Sequence, residues 1–85
     1  MQPMSFAVLG LGRFGTSVAQ ELSERGYEVI AVDKDPERVA NIADRVVKAV
    51  EADTTDERAL DAIGVRNVDV AIVAIGQDIQ ASILT

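Results

Sequence analysis

The sequence contains no cysteine, no histidine and no tryptophan, and its aromatic residues are two Phe and one Tyr. Without cysteine there are no disulfides or thiolate metal ligands, and without histidine the commonest general base is missing. Basic residues are also scarce, because 8 Lys and Arg stand against 14 Asp and Glu, a net charge of -6. Nonspecific nucleic-acid binding needs a basic surface. We therefore expect no metal site and no nucleic-acid partner.

Long apolar runs are missing as well. No stretch approaches the roughly 20 apolar residues that cross a bilayer, and no basic region followed by an apolar segment marks the chain for export. The apolar content of 48% and the charged content of 26% are typical of a globular protein. We expect a single small domain over residues 1–85, located in the cytoplasm, with no direct membrane insertion.

What the sequence does contain is a glycine loop between a strand and a helix. Residues 8–15 read VLGLGRFG, with the spacing G-x-G-x-x-G. In a strand–loop–helix unit, Gly10 allows a tight turn, Gly12 lets a pyrophosphate approach the backbone, and Gly15 allows close packing of helix on strand. The free N–H groups at the helix start would then face an anion. The motif alone is weak, because glycine-rich turns are common.

Strands and helices alternate along the rest of the chain. The predicted strands span 5–10, 28–33, 46–51 and 68–75, and the predicted helices begin at about Arg13, at Pro36, at Asp56 and at Ile79. Asp35 before Pro36 is interpreted as a helix N-cap rather than a ligand. The alternation predicts an α/β, Rossmann-like fold with a parallel sheet in the order 3-2-1-4 and helices on both faces.

The fourth predicted strand is apolar throughout, which is typical of a strand inside a parallel sheet. The sequence stops before a fifth parallel strand. We therefore expect a truncated domain, or one whose sheet is completed by another copy. The apolar residues of this region predict a homodimer contact; they are Val70, Ile72, Ile75, Ile79, Ile83 and Leu84.

Asp33 ends the second strand, 23 residues after Gly10. Dinucleotide-binding folds place an acid here to hydrogen-bond the ribose hydroxyls. A carboxylate would also repel a 2′-phosphate, so NADP is disfavoured, although the adjacent Lys34 moderates that charge. The alternative is a helix-capping or solvated aspartate.

Arg13 opens the first helix, where a cation opposes the helix macrodipole. A bound phosphate would offset that cost, and so would solvation at a surface turn, so both interpretations stay open. Asp53, Thr54 and Thr55 follow the third strand on the same edge of the sheet, either bordering a nucleoside or forming a turn and helix cap. Residues 74–76 end the fourth strand, across the switch point from the first strand. Their apolar and small side chains would lie beside a bound ligand.

These blocks carry a family resemblance. The sequence resembles the amino-terminal half of RCK (KTN) nucleotide-binding domains. These are the cytosolic regulatory subunits of Trk/Ktr-type bacterial potassium uptake systems and related channels. The resemblance lies in residues 10–15 (GLGRFG), 32–33 (VD), 52–55 (ADTT) and 70–76 (VAIVAIG). The resemblance covers essentially all 85 residues. The family usually has Gly where this sequence has Ala52, and its later elements and carboxyl-terminal ligand-binding subdomain are not represented.

The resemblance implies a sensor rather than an enzyme. Such domains bind ATP, ADP or NAD(H), form dimers and rings, and act on a membrane-embedded potassium-translocating subunit, so the chain would lie at the inner face of the membrane through its partner. By similarity, Gly10, Gly12, Arg13 and Gly15 would hold phosphates, Asp33 the ribose, and Asp53 with Thr54 the adenosine end. The candidate site residues are Gly10, Leu11, Gly12, Arg13, Phe14, Gly15, Asp33, Lys34, Asp53, Thr54, Ala74, Ile75 and Gly76.

Two other functions remain open from the sequence. One is the cofactor half of an NAD-dependent dehydrogenase, which would need a proton-transfer group and a substrate pocket, usually from a second domain. The other is a structural module with no ligand, against which the intact glycine motif and Asp33 both count.

Overall fold

The computed structural model describes residues 4–75 and 78–83. Five strands, three helices and one 3-10 turn follow one another in this part of the chain. They are β1 (Ser5–Leu9), α1 (Arg13–Glu24), β2 (Glu28–Asp33), α2 (Pro36–Ile42), β3 (Lys48–Glu51), α3 (Glu57–Ile63), the 3-10 turn Val65–Asn67, β4 (Val70–Ile75) and β5 (Asp78–Ile83).

The strands form one sheet in the order β3-β2-β1-β4-β5. The first four are mutually parallel, with Ala7 of β1 opposite Ile30 of β2 on one side and Ala71 of β4 on the other. This arrangement confirms the predicted Rossmann-like order 3-2-1-4. Because these four strands are parallel, the carboxyl ends of β1, β2, β3 and β4 meet at one edge of the sheet.

Helices cover both faces of the sheet because successive side chains of each strand point to opposite sides. On one face, Ala19 of α1 and Ile42 of α2 pack over Val8 of β1. On the other, Val65 of the 3-10 turn packs over Ala7 and Leu9. Two apolar layers therefore hold the sheet between them and fix its carboxyl edge.

Aspartate side chains cap the two later helices. Asp35 Oδ1 accepts a hydrogen bond from the Glu37 N–H, which confirms the interpretation of Asp35 as a cap. Asp56 accepts from the N–H groups of Arg58 and Ala59, so Asp56 is the N-cap of α3 and not its first residue.

The predicted final helix from Ile79 is wrong. Residues 78–83 form β5, which pairs antiparallel with β4, Ile79 lying opposite Ala74 and Ile83 opposite Val70. Polar and apolar residues alternate there as Asp-Ile-Gln-Ala-Ser-Ile, a period of two that suits a strand. The strand also pairs the backbone edge of β4 that faces away from β1. Ile79 and Ile83 therefore do not form a helical contact surface, and Leu84 lies outside the described residues.

Three strand boundaries also differ from the prediction, and one of them is the end of β1, which lies at Leu9 instead of residue 10. β3 begins at Lys48 instead of residue 46, and β4 begins at Val70 instead of residue 68 because the 3-10 turn shortens its start. Within residues 4–75 and 78–83, no helix has the length and apolar character to cross a membrane. No acidic cluster suited to a metal ion occurs in the same part of the chain.

Candidate functional site

A cleft of about 460 Å³ opens at the carboxyl edge of the sheet. It lies between the carboxyl ends of β1 and β4, where the strand order reverses, because β2 and β3 lie on one side of β1 and β4 lies on the other. This is the switch point at which open α/β sheets bind ligands. Its described lining consists of Gly10, Leu11, Gly12, Asp33, Lys34, Arg38, Asp53, Thr54, Thr55 and Ala74. Four separate loops or strand ends thus contribute to one concave surface.

Two glycines of the loop are required by packing. Gly10 has φ of +104°, a conformation that L residues rarely adopt, and a Cβ there would overlap the Ala74 carbonyl oxygen of β4. A Cβ on Gly15 would overlap the Gly10 carbonyl oxygen and lie 3.3 Å from the Ala74 Cβ. Both glycines therefore allow α1 and β4 to lie close to the end of β1, as predicted for Gly15.

Gly12 differs from these two because its missing side chain leaves open space. The nearest atom to a Cβ built there is the Arg38 Nη1, at 4.0 Å, and the Gly12 backbone is extended, with φ of -71°. Gly12 is also the N-cap of α1. Unlike α2 and α3, α1 has no side-chain cap and no acidic residue in its first turn. An anion in the cleft would meet this helix start without a competing carboxylate from the first turn of α1 itself.

Asp33 connects the loop to the end of β2. Its side chain is buried; Oδ2 accepts a hydrogen bond from the Leu11 N–H at 2.7 Å, and Oδ1 accepts from the Asp35 N–H at 2.8 Å. The two backbone donors fix the carboxylate beside the glycine loop. A carboxylate offers about four lone-pair positions, so capacity for a ribose hydroxyl remains after both bonds are made.

Asp53 shapes the far wall of the cleft. Its Oδ1 accepts from the Thr55 hydroxyl at 2.7 Å and from the Thr55 N–H at 2.9 Å. Both hydrogen bonds lower the pKa of Asp53 below its ordinary value of 3.8, and the bond from the Thr55 hydroxyl has the larger effect. The exposed carboxylate is therefore ionised at neutral pH and is held in a turn, which fits the structural alternative for residues 53–55 as well as the binding one.

The comparison with known protein families matches residues 6–85 to the TrkA-N domain. This chain belongs to the TrkA-N family. The predicted resemblance to the RCK (KTN) domains of Trk/Ktr regulatory subunits is thereby confirmed. TrkA-N domains are nucleotide-binding domains with an NAD-type fold.

Several curated relatives align with the TrkA-N domain over most of its length. It is 55% identical to Ktr system potassium uptake protein C and 51% identical to Ktr system potassium uptake protein A, both of Bacillus subtilis (strain 168), in each case over 94% of this chain and 36% of the relative. It is 43% identical to Ktr system potassium uptake protein A of Vibrio alginolyticus, over 93% of this chain and 36% of that relative. The chain thus spans about a third of these relatives' length.

In this TrkA-N domain, the cleft brings together Gly10, Leu11, Gly12, Asp33, Lys34, Asp53, Thr54 and Ala74 of the predicted set. Arg13 and Phe14 are exposed and, like the buried Gly15, are not in the described lining. Leu11 borders the cleft through its backbone, whose N–H is donated to Asp33, and its side chain is 2% exposed within the apolar core. Ile75 is the last residue of β4, and Gly76 lies outside the described residues.

The structure adds Arg38 and Thr55 to the lining. Arg38 is the third residue of α2, and its side chain is 54% exposed. The sequence does contain a signal for Arg38. Like Arg13, it is a cation in the first turn of a helix that follows the carboxyl end of a strand, where it opposes the helix macrodipole. Thr55 belongs to residues 53–55, the segment that the sequence places at this edge of the sheet, although it is not among the candidate site residues.

Proposed function

We propose that this TrkA-N domain binds ATP, ADP or NAD(H) in the cleft at the carboxyl edge of the sheet. The observation that carries the proposal is the start of α1. This 12-residue helix has no side-chain cap and no first-turn carboxylate, and the Gly12 at its N-cap borders the cleft with open space in place of a side chain. Backbone N–H groups and the helix dipole would together attract a phosphate.

The other lining residues support a division of the cleft. Phosphates would lie against Gly12 and the start of α1, with Gly10 and Gly15 shaping the loop and Arg13 at its outer side. The ribose hydroxyls would bind Asp33, whose carboxylate would disfavour the 2′-phosphate of NADP. The adenosine end would contact Asp53 and Thr54. The remaining candidates, Leu11, Phe14, Lys34, Ala74, Ile75 and Gly76, would border the ligand.

We infer that the domain is a regulatory sensor and not a catalyst. The curated relatives are named as potassium uptake proteins, which supports a role in gating a membrane-embedded potassium-translocating subunit from the cytoplasmic side. This chain would form the amino-terminal part of the RCK domain in such a subunit. Signalling would follow from different nucleotide affinities in two arrangements of the assembly.

A nucleotide that co-purifies with the protein tests the binding proposal. The protein would be denatured and the released small molecules identified by mass spectrometry, followed by calorimetric titration of nucleotide-free protein with ATP, ADP, NADH and NADPH. We expect binding of at least one of the first three, with NADPH weaker than NADH. Absence of any co-purifying nucleotide together with no heat of binding for all four would overturn the proposal.

We further propose assembly as a homodimer or higher ring, supported by the apolar β4 segment and by the family resemblance. Because β5 pairs with the edge of β4, the contact would not use that edge. Sedimentation of the purified protein at micromolar concentration should give a dimer or larger species. A folded monomer throughout that range would contradict this part of the proposal.

A further inference from the structure

Arg38 is held at the cleft by two carboxylates without a hydrogen bond to either. Its Nη1 lies 3.9 Å from Asp33 Oδ2, and its Nε lies 3.7 Å from Asp35 Oδ2. Both separations exceed hydrogen-bond length, so attraction between charges holds the guanidinium there. Ion pairs this exposed are weak and screened by salt. A stronger anion can therefore displace these partners.

Neither carboxylate depends on Arg38 for its hydrogen bonds. Both oxygens of Asp33 accept from backbone N–H groups, and Asp35 Oδ1 accepts from the Glu37 N–H as the cap of α2. Departure of the guanidinium would leave these bonds intact. The buried Asp33 carboxylate would then keep its two backbone donors, which avoids the penalty of an unsatisfied buried charge.

The guanidinium faces the phosphate side of the cleft. Apart from the residues next to Gly12 in the chain, Arg38 Nη1 is the nearest atom to a Cβ built at Gly12, at 4.0 Å. The described lining contains two cations, Lys34 and Arg38, and two carboxylates, Asp33 and Asp53. A phosphate that enters this acidic protein therefore needs a local cation beside the backbone donors. An arginine provides five N–H donors in a fork that matches phosphate oxygens.

We propose that Arg38 is the phosphate-recognising residue of the cleft, held by Asp33 and Asp35 until a nucleotide phosphate replaces them. The proposal rests on the proposed nucleotide-binding function and assigns to Arg38 the role that the sequence suggested for Arg13. The phosphate is that of the 5′ chain, because the guanidinium borders Gly12 and the helix start.

The test compares three arginine variants by calorimetry. Arg38→Ala removes the guanidinium, and Arg38→Lys keeps a charge but loses the fork. Arg66→Ala is the matched control, because Arg66 is also an exposed arginine in an ion pair, with Asp61, and belongs to the 3-10 turn outside the cleft lining. Each would be titrated with ADP, adenosine, NADH and NADPH after circular dichroism has shown a native spectrum.

We expect Arg38→Ala to weaken ADP about 10- to 100-fold, the effect of losing a charge-assisted hydrogen bond, and to change adenosine binding less than about twofold. Arg38→Lys should be intermediate and Arg66→Ala unchanged. Equal losses for NADH and NADPH fit the 5′ chain, whereas a loss confined to NADPH would contradict it in favour of the 2′-phosphate. Unchanged ADP affinity in Arg38→Ala would overturn the role of Arg38 alone. Failure of the unmutated protein to bind any nucleotide would overturn the proposed function and this inference together.

Discussion

Two aspartates at opposite ends of the sheet do similar structural work but differ in what surrounds them. Asp69 precedes β4 at the amino end, where its Oδ2 accepts from both the Ser5 N–H, at 2.8 Å, and the Ser5 hydroxyl, at 3.2 Å. Asp33 ends β2 at the carboxyl end and uses both oxygens, one for Leu11 and one for Asp35. Each carboxylate joins two segments that are far apart in the sequence: Asp69 joins the start of β4 to β1, and Asp33 joins the end of β2 to the glycine loop.

The surroundings separate a structural link from a candidate site. At the amino end, Ser5 and Asp69 also exchange a backbone hydrogen bond, from the Asp69 N–H to the Ser5 carbonyl at 3.0 Å, so the two residues largely satisfy each other. At the carboxyl end, Asp33 borders a cleft that also contains an open glycine and a weakly held arginine. A carboxylate at a strand end therefore does not by itself indicate function. Asp33 is a candidate site residue because groups that are free to bind a ligand, the open Gly12 and the weakly held Arg38, lie beside it.

The largest expected effect separates packing from binding within the glycine loop. Gly10→Val should destabilise the fold by roughly 3 to 5 kcal/mol, because it combines a strained positive φ with overlap against the Ala74 carbonyl. Such a loss is a large fraction of the stability of a small domain. Thermal unfolding followed by circular dichroism measures it. A melting temperature close to that of the unmutated protein would show that β4 can move away from the loop.

Gly12→Val is the matched change at the open position. It should lower stability by about 1 kcal/mol at most, the difference between a glycine and a β-branched N-cap, while its side chain fills the space proposed for phosphate. We expect a native circular dichroism spectrum and no measurable ADP binding by calorimetry. Retained ADP affinity would mean that the phosphate does not approach the backbone at Gly12.

Replacing each aspartate by asparagine sharpens the comparison between the two ends. In Asp33→Asn, one backbone N–H must face the new NH₂ group, which should cost about 1 to 3 kcal/mol of stability and weaken nucleotide binding by a similar amount. In Asp69→Asn, the single amide oxygen can accept from both Ser5 donors, so the loss should stay below about 1 kcal/mol with unchanged binding. Both variants alter net charge equally. If urea unfolding gave equal losses of stability for the two variants, the proposed difference between Asp33 and Asp69 would be refuted.

The smallest effect concerns Asp53. Hydrogen bonds from Thr55 lower its pKa below 3.8, so their contribution to stability is present above that value and is lost as the pH falls through the lowered pKa. Thr55→Val removes the hydroxyl donor and should move the pKa of Asp53 back toward 3.8. An NMR titration of the Asp53 carboxyl carbon measures this, and an unchanged titration midpoint would show that the hydroxyl bond does not form in solution.

Much of the fold follows from local sequence features. Asp35-Pro36 predicts the start of α2, and the apolar run ending at Asp33 predicts β2 with the bounds observed. The helix predicted for the final segment is wrong because residues 78–83 alternate polar and apolar residues as a strand does, and pairing with β4 completes that strand. Such pairing joins segments through tertiary contacts that a local pattern does not contain.

The candidate site was predictable where backbone geometry determines it and less so where side chains do. The spacing of Gly10, Gly12 and Gly15 located the loop, but it did not distinguish the two packed glycines from the open one. Arg38 reaches the cleft through the direction of α2, and the choice between Arg13 and Arg38 depends on that direction. Secondary-structure patterns do not specify which first-turn side chain turns toward a neighbouring loop.

The most direct test of the central claim is an amide NMR titration of the purified protein with ADP. If phosphate binds at the start of α1, the backbone amide signals of Gly12 and Arg13 should shift strongly and saturate with the calorimetric affinity. The amides of Ser5 and Asp69, at the opposite end of the sheet, should remain in place. Shifts that are absent at Gly12 and Arg13, or that are centred on Ser5 and Asp69, would contradict the assignment of the cleft as a nucleotide site.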